Sequence, residues 1–167
     1  MEILETKGRK MNKIKREEKE NLHTFSDTTK WNQQPYYNTY CPRGTPVGCV
    51  ATATSQIMRL YKYLKRGTGS HSYSSSYGTL SFNYDYNIDW DAMPESVLRQ
   101  RNDEVARFCY GVAVALDMSF STSGSGTWQQ YVPAALKKYY KPELGIRNVC
   151  KKLVISLYFC NFIVEYQ

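Results

Sequence analysis

Residues 48–58 read GCVATATSQIM, and this stretch decides the fold. After the cysteine, apolar side chains recur at spacings of three and four residues, the pattern of a helix that buries one face: Val50, Ala53, Ile57, Leu60, Tyr61 and Leu64. The preceding residues, GTPVG at 44–48, cannot continue such a helix. The sequence therefore predicts a helix from Cys49 to about Lys65, stopped by the glycines of 67–69.

A cysteine at the start of a helix can act as a nucleophile. In the first turn the thiol meets the positive end of the helix dipole and unpaired N–H groups, and both favour the thiolate. The thiolate is the form that attacks a carbonyl carbon. Position alone favours a plainer interpretation, in which Cys49 is one more small buried residue.

Composition narrows the function classes. The chain has 167 residues, enough for one domain or one lobe of a larger protein, and a net charge of +7. Binding of nucleic acid would require the basic residues of 59–66 and 137–152 to form one face, and we do not expect it. The apolar run 153–164 is too short to span a bilayer, so no membrane association is expected.

Metal and serine chemistry find no support in the residues. The five cysteines form no C-x-x-C pair and no metal-ligand spacing, so neither a metal nor another cofactor is expected. No serine lies in a G-x-S-x-G motif, and the only histidines are His23 and His71. Thiol chemistry remains as the enzymatic hypothesis.

The remaining elements indicate an α+β fold. Residues 79–84 alternate with period two and predict a strand of an exposed hairpin. Further helices are predicted over 103–117 and 128–140, the latter with Thr127 and Gln130 as a capping box. Helices interleaved with extended and irregular segments are typical of the α+β class.

Four segments follow one another in the chain: WNQ at 31–33, VGCVATATSQIM at 47–58, GTGSHSY at 67–73 and DWDAMP at 89–94. In order and spacing they resemble the motifs of the streptopain family of bacterial cysteine peptidases. The resemblance continues more weakly to about residue 150.

This resemblance implies a papain-like fold, of which the chain holds mainly the helical lobe with the nucleophile helix. It implies a cysteine-type endopeptidase that acts on proteins or peptides. Cys49 would be the nucleophile, and Gln33 would complete the oxyanion hole. Ser123 and Ser125 would line the substrate cleft.

The chain departs from the family pattern at the catalytic base. In the family a histidine follows in a Gly-His-Ala motif on a β-rich lobe, whereas no histidine follows Tyr140 here. The resemblance therefore predicts a chain truncated before that lobe and inactive, or nearly so, by itself. We expect His71 to be structural. The alternative is a non-catalytic fragment that docks a complementing β-rich lobe or a peptide.

The predicted organisation has three parts. Residues 1–24 form a charged leader that is disordered or a frayed helix, 25–152 the cysteine-bearing part of the peptidase domain, and 153–167 a divergent apolar tail. The resemblance predicts secretion, yet no signal peptide opens the chain, so a cytoplasmic location is the alternative.

Overall fold

The structure is a computed structural model that describes residues 29–62 and 64–140. Two helices of 13 residues pack against each other at its centre, α1 (Cys49–Tyr61) and α2 (Asp103–Ala115). An antiparallel hairpin of β1 (Ser70–Ser75) and β2 (Gly78–Asn83) packs on α2. The leader predicted for 1–24 and the tail predicted for 153–167 lie outside the described residues.

Helix α1 begins at Cys49, as the sequence predicts, and buries polar as well as apolar side chains. The hydroxyls of Thr52, Thr54 and Ser55 donate to backbone carbonyls four residues earlier, at distances of 2.7 to 3.0 Å. Because these bonds satisfy the hydroxyls internally, the helix can be buried along most of its circumference.

The predicted end of α1 near Lys65 is wrong. The helix ends at Tyr61 because Lys62 adopts the left-handed conformation, with φ of 43°, and its N–H donates to the Arg59 carbonyl. Gly67 does not stop the helix. A Cβ at this position would lie 2.5 Å from the Tyr84 carbonyl oxygen, so the glycine permits close packing instead.

Helix α2 begins at Asp103, as predicted, and ends at Ala115, two residues before the predicted end. The Asn102 side chain caps it by accepting a hydrogen bond of 2.9 Å from the Val105 N–H. Gly111 lets the hairpin approach the helix, because a Cβ there would lie 2.7 Å from the Phe82 ring.

The strand predicted over 79–84 is confirmed as β2. Its partner β1 is rich in serine, and no strand is predicted there from the sequence. In the hairpin register His71 pairs with Phe82 and Tyr73 with Leu80, and these side chains are more buried than their exposed neighbours. One face of the hairpin therefore packs on the protein.

The third predicted helix is broken into three short pieces. A 3₁₀ turn (Gln129–Tyr131) leads into α3 (Val132–Ala135), which continues as a π-helical turn (Leu136–Tyr140). The predicted capping box is wrong, because the Thr127 hydroxyl donates to the Leu116 carbonyl at 2.7 Å. Thr127 thus ties this region to the end of α2.

Two buried tryptophans hold the long connections against the helices. The Trp31 indole N–H donates to the Pro94 carbonyl at 2.7 Å, and that of Trp90 to the Leu64 carbonyl at 2.6 Å. Among the residues that the structure describes, no helix has the length and apolar character needed to cross a membrane.

Candidate active site

The three cysteines of the described region lie in different environments. Cys49 is half-buried at the first position of α1, whereas Cys41 and Cys109 are 5% and 0% exposed. Burial raises the pKa of both the Cys41 and the Cys109 thiol to about 12. At neutral pH these two remain thiols inside the core, and Cys49 is the described cysteine that solvent can reach.

The residue before Cys49 has to be glycine for two reasons. Gly48 adopts a φ of 95°, a region that side chains disfavour. A Cβ at this position would also lie 2.7 Å from the Met118 sulfur and 3.0 Å from the Ser125 carbonyl oxygen. The absence of a side chain thus lets the segment 118–125 lie directly beside the start of α1.

The loop that carries Gln33 is bonded to the same corner. The Gln33 carbonyl accepts a hydrogen bond of 3.3 Å from the Val47 N–H, two residues before Cys49. The Gln56 side chain on α1 donates to the Trp31 carbonyl at 2.8 Å. The loop 31–33 is therefore attached both to the turn before Cys49 and to helix α1 itself.

The two serines of the predicted substrate cleft differ in orientation. A short antiparallel bridge between Ser119 and Gly126, with N–O distances of 2.9 and 3.1 Å, closes the loop that carries them. Ser125 is 8% exposed, and its hydroxyl accepts a hydrogen bond of 3.4 Å from the Ser121 N–H. Ser123 is exposed, and its hydroxyl lies 2.9 Å from that of Ser121. The hydroxyl of Ser123 is the one open to solvent.

His71, the one histidine in the described region, has its side chain engaged. Its Nε2 atom lies 2.6 Å from a carboxylate oxygen of Asp117, and its ring packs against Tyr73 and Tyr139 at centroid distances of 6.1 and 5.3 Å. These contacts agree with the structural role expected from the sequence. The Asp117 partner lies 46 residues away and has no local signal in the sequence, although the alternation of β1 places His71 on its more buried face.

No group of three or more histidine, cysteine, aspartate or glutamate side chains in 29–62 and 64–140 could hold a metal ion. The chemistry available at this corner is that of the Cys49 thiol, the donors around it and the polar loop beside it.

Comparison with known proteins identifies the family. The Peptidase C10 family matches residues 31–159. The thiol protease/hemagglutinin PrtT of Porphyromonas gingivalis is 28% identical over 142 residues, which cover 77% of this chain and 16% of that protein. Streptopain of Streptococcus pyogenes is 25% identical over 129 residues, which cover 70% of this chain and 32% of that protein.

Solved structures agree with this family match. The active wild-type cysteine protease interpain A of Prevotella intermedia superposes with a TM-score of 0.61 at 30% identity, over 69% of this chain and 55% of that one. A prointerpain A fragment gives the same TM-score at 28% identity, over 68% of this chain and 42% of that one. The chain thus spans about half or less of each relative.

The solved relatives confirm the predicted α+β, papain-like fold. Since the family match covers more than half of the sequence, the chain belongs to the peptidase C10 family of streptopain-like cysteine peptidases.

Proposed function

We propose that this chain carries the nucleophile and the oxyanion-binding loop of a cysteine endopeptidase. The observation that supports this most strongly is the half-buried Cys49 thiol at the start of α1, in a region whose other cysteines are sealed in the core. Membership of a family of cysteine peptidases supports the same chemistry.

In the proposed reaction the Cys49 sulfur attacks the carbonyl carbon of a peptide bond, and the carbonyl oxygen becomes an oxyanion. The first N–H groups of a helix have no acceptor within the helix, so the Cys49 N–H can donate to this oxyanion. The Gln33 side-chain amide would supply the second donor. The C–N bond then breaks, the amine leaves with a proton, and water hydrolyses the thioester to regenerate the thiol.

This reaction requires a base to take the thiol proton and return it to the leaving amine. His71 makes its side-chain hydrogen bond to Asp117 and none to Cys49, His23 lies outside the described residues, and the resemblance places the family's histidine in a motif that this sequence does not contain. We therefore expect the base to come from outside this chain, such as a histidine of a complementing β-rich lobe. Since members of a catalytic triad act as a unit, the chain alone should turn over substrate slower by orders of magnitude.

The substrate would be a protein or peptide, and the exposed Ser123 hydroxyl is the better placed of the two cleft serines to contact it. Ser125 would act through its backbone, which lies against Gly48. For the whole enzyme we propose secretion from a bacterial cell, in keeping with the resemblance that motivates it.

An activated ester makes it possible to test the proposed nucleophile apart from the base. The reduced chain is incubated with a peptide p-nitrophenyl ester, with and without free imidazole, which can accept the thiol proton in place of a histidine. We expect imidazole to accelerate acylation of the wild-type chain and to have no such effect on Cys49→Ala. Intact-mass measurement and peptide mapping locate the acyl group.

Unfolded casein under reducing conditions tests the lone chain as a peptidase. We expect no hydrolysis above that of Cys49→Ala. Hydrolysis that disappears in Cys49→Ala would show that no outside base is needed, whereas acylation at Cys41 or Cys109 in place of Cys49 would contradict the assignment of the nucleophile.

A further inference from the structure

The segment 117–126, which lies against Gly48, is hydrogen-bonded to side chains of strand β1. Two side chains of β1 reach it. The Nε2 atom of His71 lies 2.6 Å from an Asp117 carboxylate oxygen, and the Tyr73 hydroxyl donates to the Met118 carbonyl at 2.7 Å. Both contacts fall on consecutive residues, two and three positions after the end of α2.

Asp117 occupies a backbone conformation that needs support. Its φ is 48°, which L-residues adopt at a cost, although aspartate and asparagine tolerate it better than most. Its N–H donates to the Val114 carbonyl at 3.1 Å, while its side chain is 56% exposed and bonded to the less exposed His71. The pair therefore holds the turn between α2 and Met118 in place.

Met118 connects this turn to Gly48, the residue before Cys49. The side chain is fully buried, and its sulfur lies 2.7 Å from where a Gly48 Cβ would stand. The next residue, Ser119, bridges to Gly126, which places the Ser125 carbonyl on the same side of Gly48. Burial raises the pKa of the Tyr73 hydroxyl above its usual range, so Tyr73 stays a hydrogen-bond donor to this segment.

We propose that His71 and Asp117 are positioning residues, whose hydrogen-bonded pair holds Met118 and the Ser125 loop against Gly48 and so shapes the peptide-binding wall beside Cys49. This role rests on the function proposed above. It requires no contact between His71 and Cys49, and it gives the histidine of the GTGSHSY motif a task other than that of the catalytic base.

The variants separate the hydrogen bond from ring packing and from backbone strain. His71→Phe keeps an aromatic ring against Tyr139 but loses the bond to Asp117. Asp117→Asn keeps an acceptor and a residue that tolerates positive φ, whereas Asp117→Ala keeps neither. The matched control is Asp85→Ala, which breaks an exposed 2.7 Å ion pair with Arg66 just beyond the open end of the hairpin.

Two rates are compared for each variant on the intact, reduced chain: acylation of Cys49 by the peptide ester with imidazole, and alkylation of Cys49 by iodoacetamide. Displacement of the Ser125 loop should slow acylation by the peptide ester, which needs an oriented peptide, by about tenfold to a hundredfold. Alkylation by the small reagent should change little. We expect this split in His71→Phe and Asp117→Ala, near wild-type rates in Asp117→Asn, and no effect in Asp85→Ala.

Amide hydrogen exchange supplies a readout that does not depend on activity. The Met118 N–H donates to the Ala113 carbonyl of α2, and the Ser119 and Gly126 N–H groups each donate to the other residue's carbonyl, so all three should be protected. We expect His71→Phe and Asp117→Ala to lose this protection while α1 keeps its own. Unchanged exchange together with an unchanged ratio of the two rates would overturn the positioning role. Loss of protection in a chain whose Cys49 is never acylated would instead contradict the proposed function.

Discussion

Helices α1 and α2 have the same length and pack on each other, yet the cysteine of one is partly exposed and the cysteine of the other is buried. Cys49 is the first residue of α1 and is half-buried. Cys109 lies in the middle of α2, is fully buried and contacts Ser55 of α1. Both residues are cysteines, so it is the position of the side chain in its helix that decides whether the thiol is available for chemistry.

The two helix starts also differ in whether a side chain caps their first N–H groups. Helix α2 is closed by the Asn102 side chain, which accepts from the Val105 N–H. Helix α1 follows Gly48, which has no side chain to act as a cap. The first N–H groups of α1 are thus left for an anionic partner, as an oxyanion hole requires.

The largest expected effect is on the rates at which the two cysteines are alkylated. A pKa of about 12 leaves the Cys109 thiol almost wholly protonated at pH 8, and burial excludes the reagent. We expect iodoacetamide to modify Cys49 at least about a thousandfold faster than Cys109 in the folded chain. Quantitative peptide mapping during the reaction measures both rates. Similar alkylation rates for Cys49 and Cys109 in the folded chain would contradict the proposed difference between the two helices.

The next effect concerns the proposed oxyanion donors. Removal of one such donor from a peptidase costs about a hundredfold or more in rate. We expect Gln33→Ala to slow imidazole-assisted acylation of Cys49 by about that factor. The control is Gln34→Ala, which removes an exposed amide one residue away. Equal rates in the two variants would show that Gln33 is not the donor.

Gly48 and Gly78 offer a matched pair for the structure of the corner. Their φ angles are 95° and 94°, but only at Gly48 would a Cβ meet other atoms. Gly48→Ala should add a clash with Met118 and Ser125 to the shared backbone strain, and we expect it to destabilise the fold by about 2 kcal/mol more than Gly78→Ala. Urea unfolding of both variants measures the difference, and equal losses would refute the close approach at Gly48.

The smallest effect is on stability at high pH. The pKa of Cys109 is raised from 9.0 to about 12 by burial. Below pH 9 the thiol is protonated in both states and contributes no pH dependence. Above it, only the unfolded state loses the proton, so Cys109 should lower the free energy of unfolding by about 1.4 kcal/mol per pH unit, and Cys41, with the same raised pKa, should add a similar contribution. Urea titrations from pH 8.5 to about 10 should show that Cys109→Ala lacks this component.

Local patterns were sufficient for much of the fold. The starts of α1 and α2 follow from the glycine before Cys49 and from apolar periodicity at helical spacing, and the strand β2 follows from its period-two alternation. Even the placement of the loop 31–33 near Cys49 could be anticipated, because motif order and spacing carry that information in the family.

The errors arise where distant residues decide the structure. The Thr127 hydroxyl could cap a helix locally, but it bonds the Leu116 carbonyl instead. Gly67 resembles a helix stop, but it admits the Tyr84 carbonyl. The contacts of His71 with Asp117 and of Met118 with Gly48 join segments 46 or more residues apart, and no local spacing encodes them.

We propose that the fold makes Cys49, alone among the described cysteines, a nucleophile towards peptide carbonyl groups. The most direct measurement is a map of acyl groups after the reduced chain reacts with the peptide ester and imidazole, once folded and once in urea. Among the three described cysteines we expect an adduct at Cys49 alone in the folded chain and loss of that selectivity on unfolding. Adducts spread over Cys41, Cys49 and Cys109 in the folded chain, or selectivity that survives in urea, would contradict it.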